Sequence, residues 1–338
     1  MKGRIKKIFE NADADAIIIM NGSSVDMTFF YVTGFESGLF ENSAAVLYPD
    51  GSMAVICPEL EEGAAGGKAE VFSNNKEKFE LLKDRVSGER VGINSRAISH
   101  ADFMKLKELL PKARFIDVGD AIRRARVVKD GEEIKRIKKA GEIASHVSNE
   151  IVPYLHEGVK ESDILAEINY IMAKKGAMPS FDTIVAFGVN SSIPHYSTGE
   201  KEFEFPALMD FGARYGRYCS DMTRTFVSGR EQSRVYEIVR EGQEIAFDMM
   251  KEGVKATVIQ NEVDEFFSKH GFGKMIHSLG HSLGLEVHDG FSMKEDFILK
   301  EGMVITVEPG IYLKDRWGIR IEDDVLVKRN GIEILTKK

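Results

Sequence analysis

Two stretches of this 338-residue chain place acids in pairs inside strand-like apolar runs. In Leu208-Met209-Asp210-Phe211-Gly212-Ala213-Arg214-Tyr215-Gly216-Arg217-Tyr218-Cys219-Ser220-Asp221, a two-residue turn at Tyr215-Gly216 pairs Arg214 with Arg217 and predicts Asp210 directly opposite Asp221. Further on, Glu308 and Glu322 are equidistant from Asp315, so a hairpin centred there opposes a second pair of acids. Directly opposed residues have Cβ atoms about 4.5–5.5 Å apart, and like charges at that spacing repel unless one is protonated or a cation lies between them. Any single acid of this kind has a plainer reading as a solvated edge residue. Two centred pairs in β-branched surroundings, where an unpaired carboxylate is costly, suggest a pseudo-symmetric repeat closing around metal.

The run from Ile276 to His288 adds three of the chain's eight histidines, His277, His281 and His288, punctuated by glycines that permit close backbone approach. It is predicted as a strand-loop-strand segment supplying metal ligands and acid–base groups. Four carboxylates with an imidazole favour hard or borderline divalent ions, manganese or cobalt, with zinc as a third candidate. Four carboxylates also carry more charge than one such ion neutralises, which predicts two ions per subunit.

The elements that must position these groups follow from periodicity. Ala16–Met20 reads as a buried strand, Ala44–Leu47 and Ala54–Cys57 as a hairpin about Pro49-Asp50-Gly51, and 101–110 as a helix before a short run from Ala113 to Val118. These make a small α/β domain over 1–125. From 126 to 338 an α+β domain is expected. Ile134, Ile137, Ala140, Ala144, Val147 and Ile151 recur at helical spacing, Ser162 is placed to cap a second helix, and two more helices fall near 231–250 and 256–269. Strand-like segments cover 206–213, 218–227, 303–312 and 319–327.

Lys and Arg total 46 against 54 Asp and Glu, with the basic residues scattered, so nucleic acid is not an expected partner. The apolar run Ala16–Met20 is too short for a membrane span. Cys57 and Cys219 form no C-x-x-C pair, which fits a reducing cytoplasm.

The segments MDFGARYGRYCSDMTRTF, HSLGHSLGLEVHDG, TVEPGIY and GIRIEDD, in that order, resemble the pita-bread metallopeptidases, and within them the Xaa-Pro dipeptidase (prolidase) and Xaa-Pro aminopeptidase branch. The resemblance spans essentially the whole chain, because the segment Phe30-Tyr31-Val32-Thr33-Gly34-Phe35 looks like part of a creatinase-type N-terminal domain. It implies that Asp210 chelates one ion, that Asp221 and Glu322 bridge two, and that His281 and Glu308 complete the second. It also implies that Glu308 shuttles a proton, that His195 lies near the leaving residue, that His288 stabilises the tetrahedral intermediate, and that His277 and Arg320 serve the site, Arg320 by orienting Glu322. The implied substrate is an Xaa-Pro dipeptide, with longer Xaa-Pro peptides or a non-catalytic binding scaffold as alternatives, and the implied assembly is a homodimer. One departure stands out: Ser292 occupies the position where many prolidases carry an arginine suited to a dipeptide's terminal carboxylate.

Overall fold

In the computed structural model, which describes residues 1–336, the apolar run Ala16–Met20 forms a fully buried strand, β1. Its neighbours are β2 (Ala44–Leu47), antiparallel, and β5 (Arg90–Ile93), parallel. With β3 (Met53–Pro58), β4 (Glu70–Phe72) and β6 (Arg114–Asp117) they make one mixed sheet in the order β4-β3-β2-β1-β5-β6. The hairpin β2–β3 turns where Gly51, at φ +85°, takes a left-handed conformation and Asp50 accepts the Ser52 N–H. The predicted helix near 101–110 spans His100–Leu109, its first turn capped by Ser99. These elements belong to a unit covering Met1–Arg126, and a second unit begins at Val127.

The second unit opens on helix Gly131–Glu150, whose first turn is closed by a reciprocal capping box between Asp130 and Glu133. Ile137, Ala140, Ala144 and Val147 are buried along one face, while Ile134 is only half-buried. The next helix, Glu161–Lys174, starts before Ser162, which therefore does not cap it. Lys160 is the extended residue at its start, and Asp163 reaches back to accept the Lys160 N–H, satisfying one of the donors that a helix start leaves open. Its apolar face joins β8 (Ile184–Phe187), β9 (Ala207–Phe211) and β12 (Met222–Phe226) in one hydrophobic core. Helices Gly229–Met249 and Ala256–Lys269 then pack with β13 (Val304–Val307), β14 (Gly310–Leu313), β15 (Trp317–Arg320) and β16 (Asp323–Lys328) in another. Two helices followed by an acid-bearing hairpin thus occur twice. Each half owns its core, where a fully buried Val, Leu or Ile contributes about 1.5–3 kcal/mol. Among the described residues no helix is long and apolar enough to cross a membrane.

The second hairpin has the predicted centre. Leu313 pairs with Trp317, Gly310 with Arg320 and, beyond the acids, Val307 with Asp323, so Glu308 and Glu322 are register partners. The first is offset from the prediction. Gly216 (φ +53°) and Arg217 (φ +71°) form its turn, both left-handed, a two-residue loop whose twist suits the flanking strands. Tyr215 therefore pairs with Tyr218 and Arg214 with Cys219, and Asp210 faces Thr223 rather than Asp221. Thr223 and Asp221 are two residues apart, so the two acids meet diagonally instead of directly.

Candidate active site

All nine residues singled out above line one cavity of about 450 Å³: Asp210, Asp221, His281, Glu308, Glu322, His195, His277, His288 and Arg320. Hydrogen bonds from backbone amides of one segment to another bring them there. The Glu322 N–H donates to the Thr223 carbonyl, and the Asp221 N–H to Asp324 Oδ2, so each hairpin holds an acid of the other. Glu308 N–H donates to the Leu279 carbonyl, docking the histidine segment on the second hairpin. That segment is not strand-loop-strand. It is irregular chain touching its neighbours through isolated bridges, His281 with Ser292 and Ser282 with Ile305. Gly280 is required for the approach, because a Cβ there would lie 1.8 Å from the Thr306 carbonyl oxygen.

Donor atoms converge at the cavity floor. One ligand atom each from Asp221, His281 and Glu322 lie within 4.8 Å of one another. His281 Nε2 is 3.5 Å from Glu308 Oε1 and 3.7 Å from Asp221 Oδ2, while its Nδ1 faces the Ser282 carbonyl at 3.3 Å. A donating Nδ1 leaves the Nε2 lone pair aimed at the acids. Burial, then the nearby His288, pushes the His281 pKa down to about 3, so the ring is neutral and competent to ligate.

The acids show the opposite shift. Burial, then the charge of Glu322, raises Asp221 well above the ordinary carboxylate range, and burial followed by Glu308 does the same to Glu322. Glu308 is pushed up to about 7, chiefly by burial. Asp210 Oδ1 and Asp221 Oδ1 are buried without a hydrogen-bond partner among the described residues. Orphaned acid oxygens, clustered like charges and a neutral imidazole together fit a divalent cation centre, which would satisfy all three.

Arg320 reaches Glu322 through Thr223 rather than directly. Its Nη2 donates to Asp210 Oδ2 at 2.5 Å, its Nη1 to the Tyr312 hydroxyl at 2.6 Å and its Nε to Thr223 Oγ1 at 3.0 Å. Thr223 in turn donates to Glu322 Oε2 at 2.7 Å, so the orientation passes through a hydroxyl. The Tyr312 hydroxyl is 3.1 Å from His277 Nε2, and His277 Nδ1 is 2.8 Å from the Ser278 carbonyl. Burial pushes the His277 pKa down to about 4. His195 and His288 are exposed at the cavity wall, the His288 ring 4.0 Å from that of His281. Thr223, Tyr312 and Asp324 were not singled out from sequence. For Thr223 a signal existed, since it follows Asp221 by two residues and shares its strand face.

Residues 135–329 match the metallopeptidase family M24, and residues 2–128 match the creatinase/prolidase N-terminal domain. The chain belongs to metallopeptidase family M24. Its M24 relatives include an Xaa-Pro dipeptidase of Pyrococcus furiosus, 36% identical over 352 residues, covering 100% of this chain and 98% of that protein. The prolidase of Pyrococcus horikoshii has a similar structure, with a TM-score of 0.90 at 34% identity, covering 99% of this chain and 98% of that one. The X-Pro aminopeptidase of Thermotoga maritima gives 0.89 at 33% identity, covering 98% of each. The fold is thus a creatinase-type N-terminal domain followed in sequence by a pita-bread M24 catalytic domain, as the sequence resemblance implied. Membership makes the chain a metal-dependent hydrolase.

Proposed function

We propose that this M24 hydrolase cleaves the bond between an N-terminal residue and proline, acting on Xaa-Pro dipeptides. The observation that carries the reading is the convergence of all nine residues on one cavity, in a chain similar over its full length to an Xaa-Pro dipeptidase. Asp210 would hold one divalent ion, Asp221 and Glu322 both ions, and His281 with Glu308 the second. The oxygen-rich donor set favours manganese or cobalt over zinc. When bound, the metal pair supplies Lewis acidity and an acidified water at neutral pH.

The protein groups then have distinct tasks. Glu308, whose carboxylate lines the cavity beside His281, would take a proton from the attacking water and deliver it to the leaving nitrogen. His288 and His195, exposed at the wall, would donate hydrogen bonds to the carbonyl oxygen and to the residue that leaves. Arg320 and Tyr312 hold Asp210 and His277 in place rather than meeting substrate. The two buried free cysteines fit a reducing, cytoplasmic setting, and the family resemblance supports a homodimer.

A second reading, cleavage of longer Xaa-Pro peptides, is favoured by one feature of the cavity wall. Ser292 lies there bonded to Ser278 at 2.9 Å, and Arg320 is committed to Asp210, Thr223 and Tyr312. A dipeptide's terminal carboxylate therefore meets hydroxyls in place of a free guanidinium. The test is hydrolysis of X-Pro and X-Pro-Y peptides by metal-stripped protein restored with manganese, cobalt or zinc in turn. Absence of cleavage under every metal would overturn the enzymatic reading in favour of a binding scaffold.

A further inference from the structure

Beneath the acids lies a second polar layer that does not face the cavity. Its centre is Arg224, 5% exposed, one residue past Thr223 on β12. Arg224 Nη1 donates to the carbonyl of Thr223 at 3.0 Å and to that of Glu322 at 2.6 Å. Its Nη2 donates to Asp323 Oδ1 at 2.6 Å and to the Thr336 carbonyl at 3.2 Å. One guanidinium therefore ends on both hairpins at the point where the Glu322 N–H already bonds to the Thr223 carbonyl.

The layer is completed from the second half of the unit. Thr336 Oγ1 accepts the Asp324 N–H at 2.9 Å and donates to Asp323 Oδ1 at 3.0 Å, while Gln243 Nε2 donates to Asp323 Oδ2 at 3.2 Å and to the Val307 carbonyl at 3.0 Å. Val307 precedes Glu308. The backbones carrying Glu322 and Glu308 are thus tied, through Asp323 and Gln243, to the strand that directly follows Asp221. A buried charge of this kind is costly unless paired and hydrogen-bonded, and a core of apolar residues would serve stability as well. Retention of a charged network here is better explained by what it fixes.

We infer that Arg224 is a positioning residue for the metal centre, clamping the two hairpins so that Asp221 and Glu322 keep the separation a shared cation needs. The inference rests on the proposed ligand roles of those acids, and its test reads metal binding directly, without peptide cleavage. Lysine at 224 keeps the charge but loses the planar fork that spans two carbonyls and a carboxylate. Arg224→Lys is expected to lower divalent-metal affinity, measured by calorimetric titration of manganese or cobalt, by about 10–100-fold, the usual range for lost outer-shell support. Activity should fall through kcat at fixed metal, with KM within about twofold, because the clamp does not touch substrate.

A merely structural role is separated by a control in the first-half core, Val147→Ala or Ile168→Val, whichever matches the melting-temperature loss of the Arg224 variant. The control should keep wild-type metal affinity. Should Arg224→Lys fail to fold, Thr336→Val removes the hydroxyl that ties Asp323 to Asp324 and is expected to weaken metal binding in the same direction. Wild-type affinity in both variants, or an equal loss in the matched control, overturns the clamp. If peptide cleavage is absent yet the titrations shift as stated, the clamp stands and the substrate assignment falls.

Discussion

The Thr223 hydroxyl lies 2.7 Å from Glu322 Oε2, so a side chain of the first hairpin aims an acid of the second across 99 positions of chain. The same oxygen accepts from Arg320 Nε at 3.0 Å. Geometry at the metal centre is therefore set by a neutral hydroxyl as well as by charge.

Thr223→Val preserves shape and deletes both bonds. With Arg320 Nε and Glu322 left short of a partner in a buried site, a stability loss of about 1–3 kcal/mol is expected. Metal affinity should fall by about 10–100-fold. Thermal melts of the metal-free protein and a metal titration measure the two separately; a Val variant matching wild type in both would make the link inconsequential.

Asp221→Asn is expected to abolish turnover, because a carboxylate assigned to both ions is lost at once. The metal-free variant should melt no lower than wild type. Its side chain no longer adds to the repulsion among Asp221, Glu322, Asp210, Asp324 and Glu308 that raises the Asp221 pKa. Retained turnover, or a large drop in apo melting temperature, would contradict the assignment.

His195→Ala and His288→Ala should each lower kcat by about 10²–10⁴-fold while metal content stays near wild type. Both rings are exposed, so architecture does not depend on them. Elemental analysis beside steady-state kinetics decides the matter: metal lost in step with activity would mark them as ligands or supports.

Metal-free and metal-loaded protein should respond to pH in opposite ways. Glu308 is raised from 4.5 to about 7, and Asp221 and Glu322 are raised too, so the stability they contribute is present below their unfolded values and lost as pH rises through the folded ones. His277 and His281, lowered from 6.5 to about 4 and about 3, contribute stability that is present above 6.5 and lost as pH falls through that window. Above pH 6.5 the unfolded histidines are already more than half deprotonated and the raised acids outweigh them, so the apo melting temperature should fall toward pH 8. Metal takes the ionised acids, so its uptake should release protons and strengthen over the same range. Calorimetry in buffers of differing ionisation enthalpy counts those protons; a count of zero would contradict the shifts.

Leu-Pro, Leu-Pro-amide and a tripeptide beginning Leu-Pro test the cavity wall at Ser292. Leu-Pro should be cleaved, and the uncharged extensions should be discriminated against only weakly, since among the described lining residues Arg320 is already committed to Asp210, Thr223 and Tyr312. Specificity constants for the three give the answer. Tripeptide turnover well above that of the dipeptide would move the assignment to aminopeptidase.

The elements were legible where one local rule acted alone. Symmetry about Asp315 was enough for the second hairpin, whose register continues through both acids. At the first, Tyr215-Gly216 and Gly216-Arg217 both offered a glycine, and the choice turned on Arg217 accepting a left-handed φ, which composition does not announce. Ser162 failed as a cap for a similar reason, because the helix had another way to satisfy its first turn, through Asp163. The acids could be found because their type is costly in apolar strands, and His277, His281 and His288 because they cluster among glycines. Thr223 and Arg224 act through partners 97 to 112 positions away, which no spacing rule links, although the face that Thr223 shares with Asp221 was legible; Tyr312 acts on Arg320 of the neighbouring strand.

The reciprocal bonds, Asp221 N–H to the Asp324 carboxylate and Glu322 N–H to the Thr223 carbonyl, carry a consequence for unfolding. Neither half can open locally without withdrawing a carboxylate from the other, although each has its own core. A bound cation, by favouring only the state with both halves closed, therefore merges two foldons into one. Amides flanking the acids then exchange with solvent only through opening of the whole catalytic unit, and the metal acts as the rivet of its cooperativity.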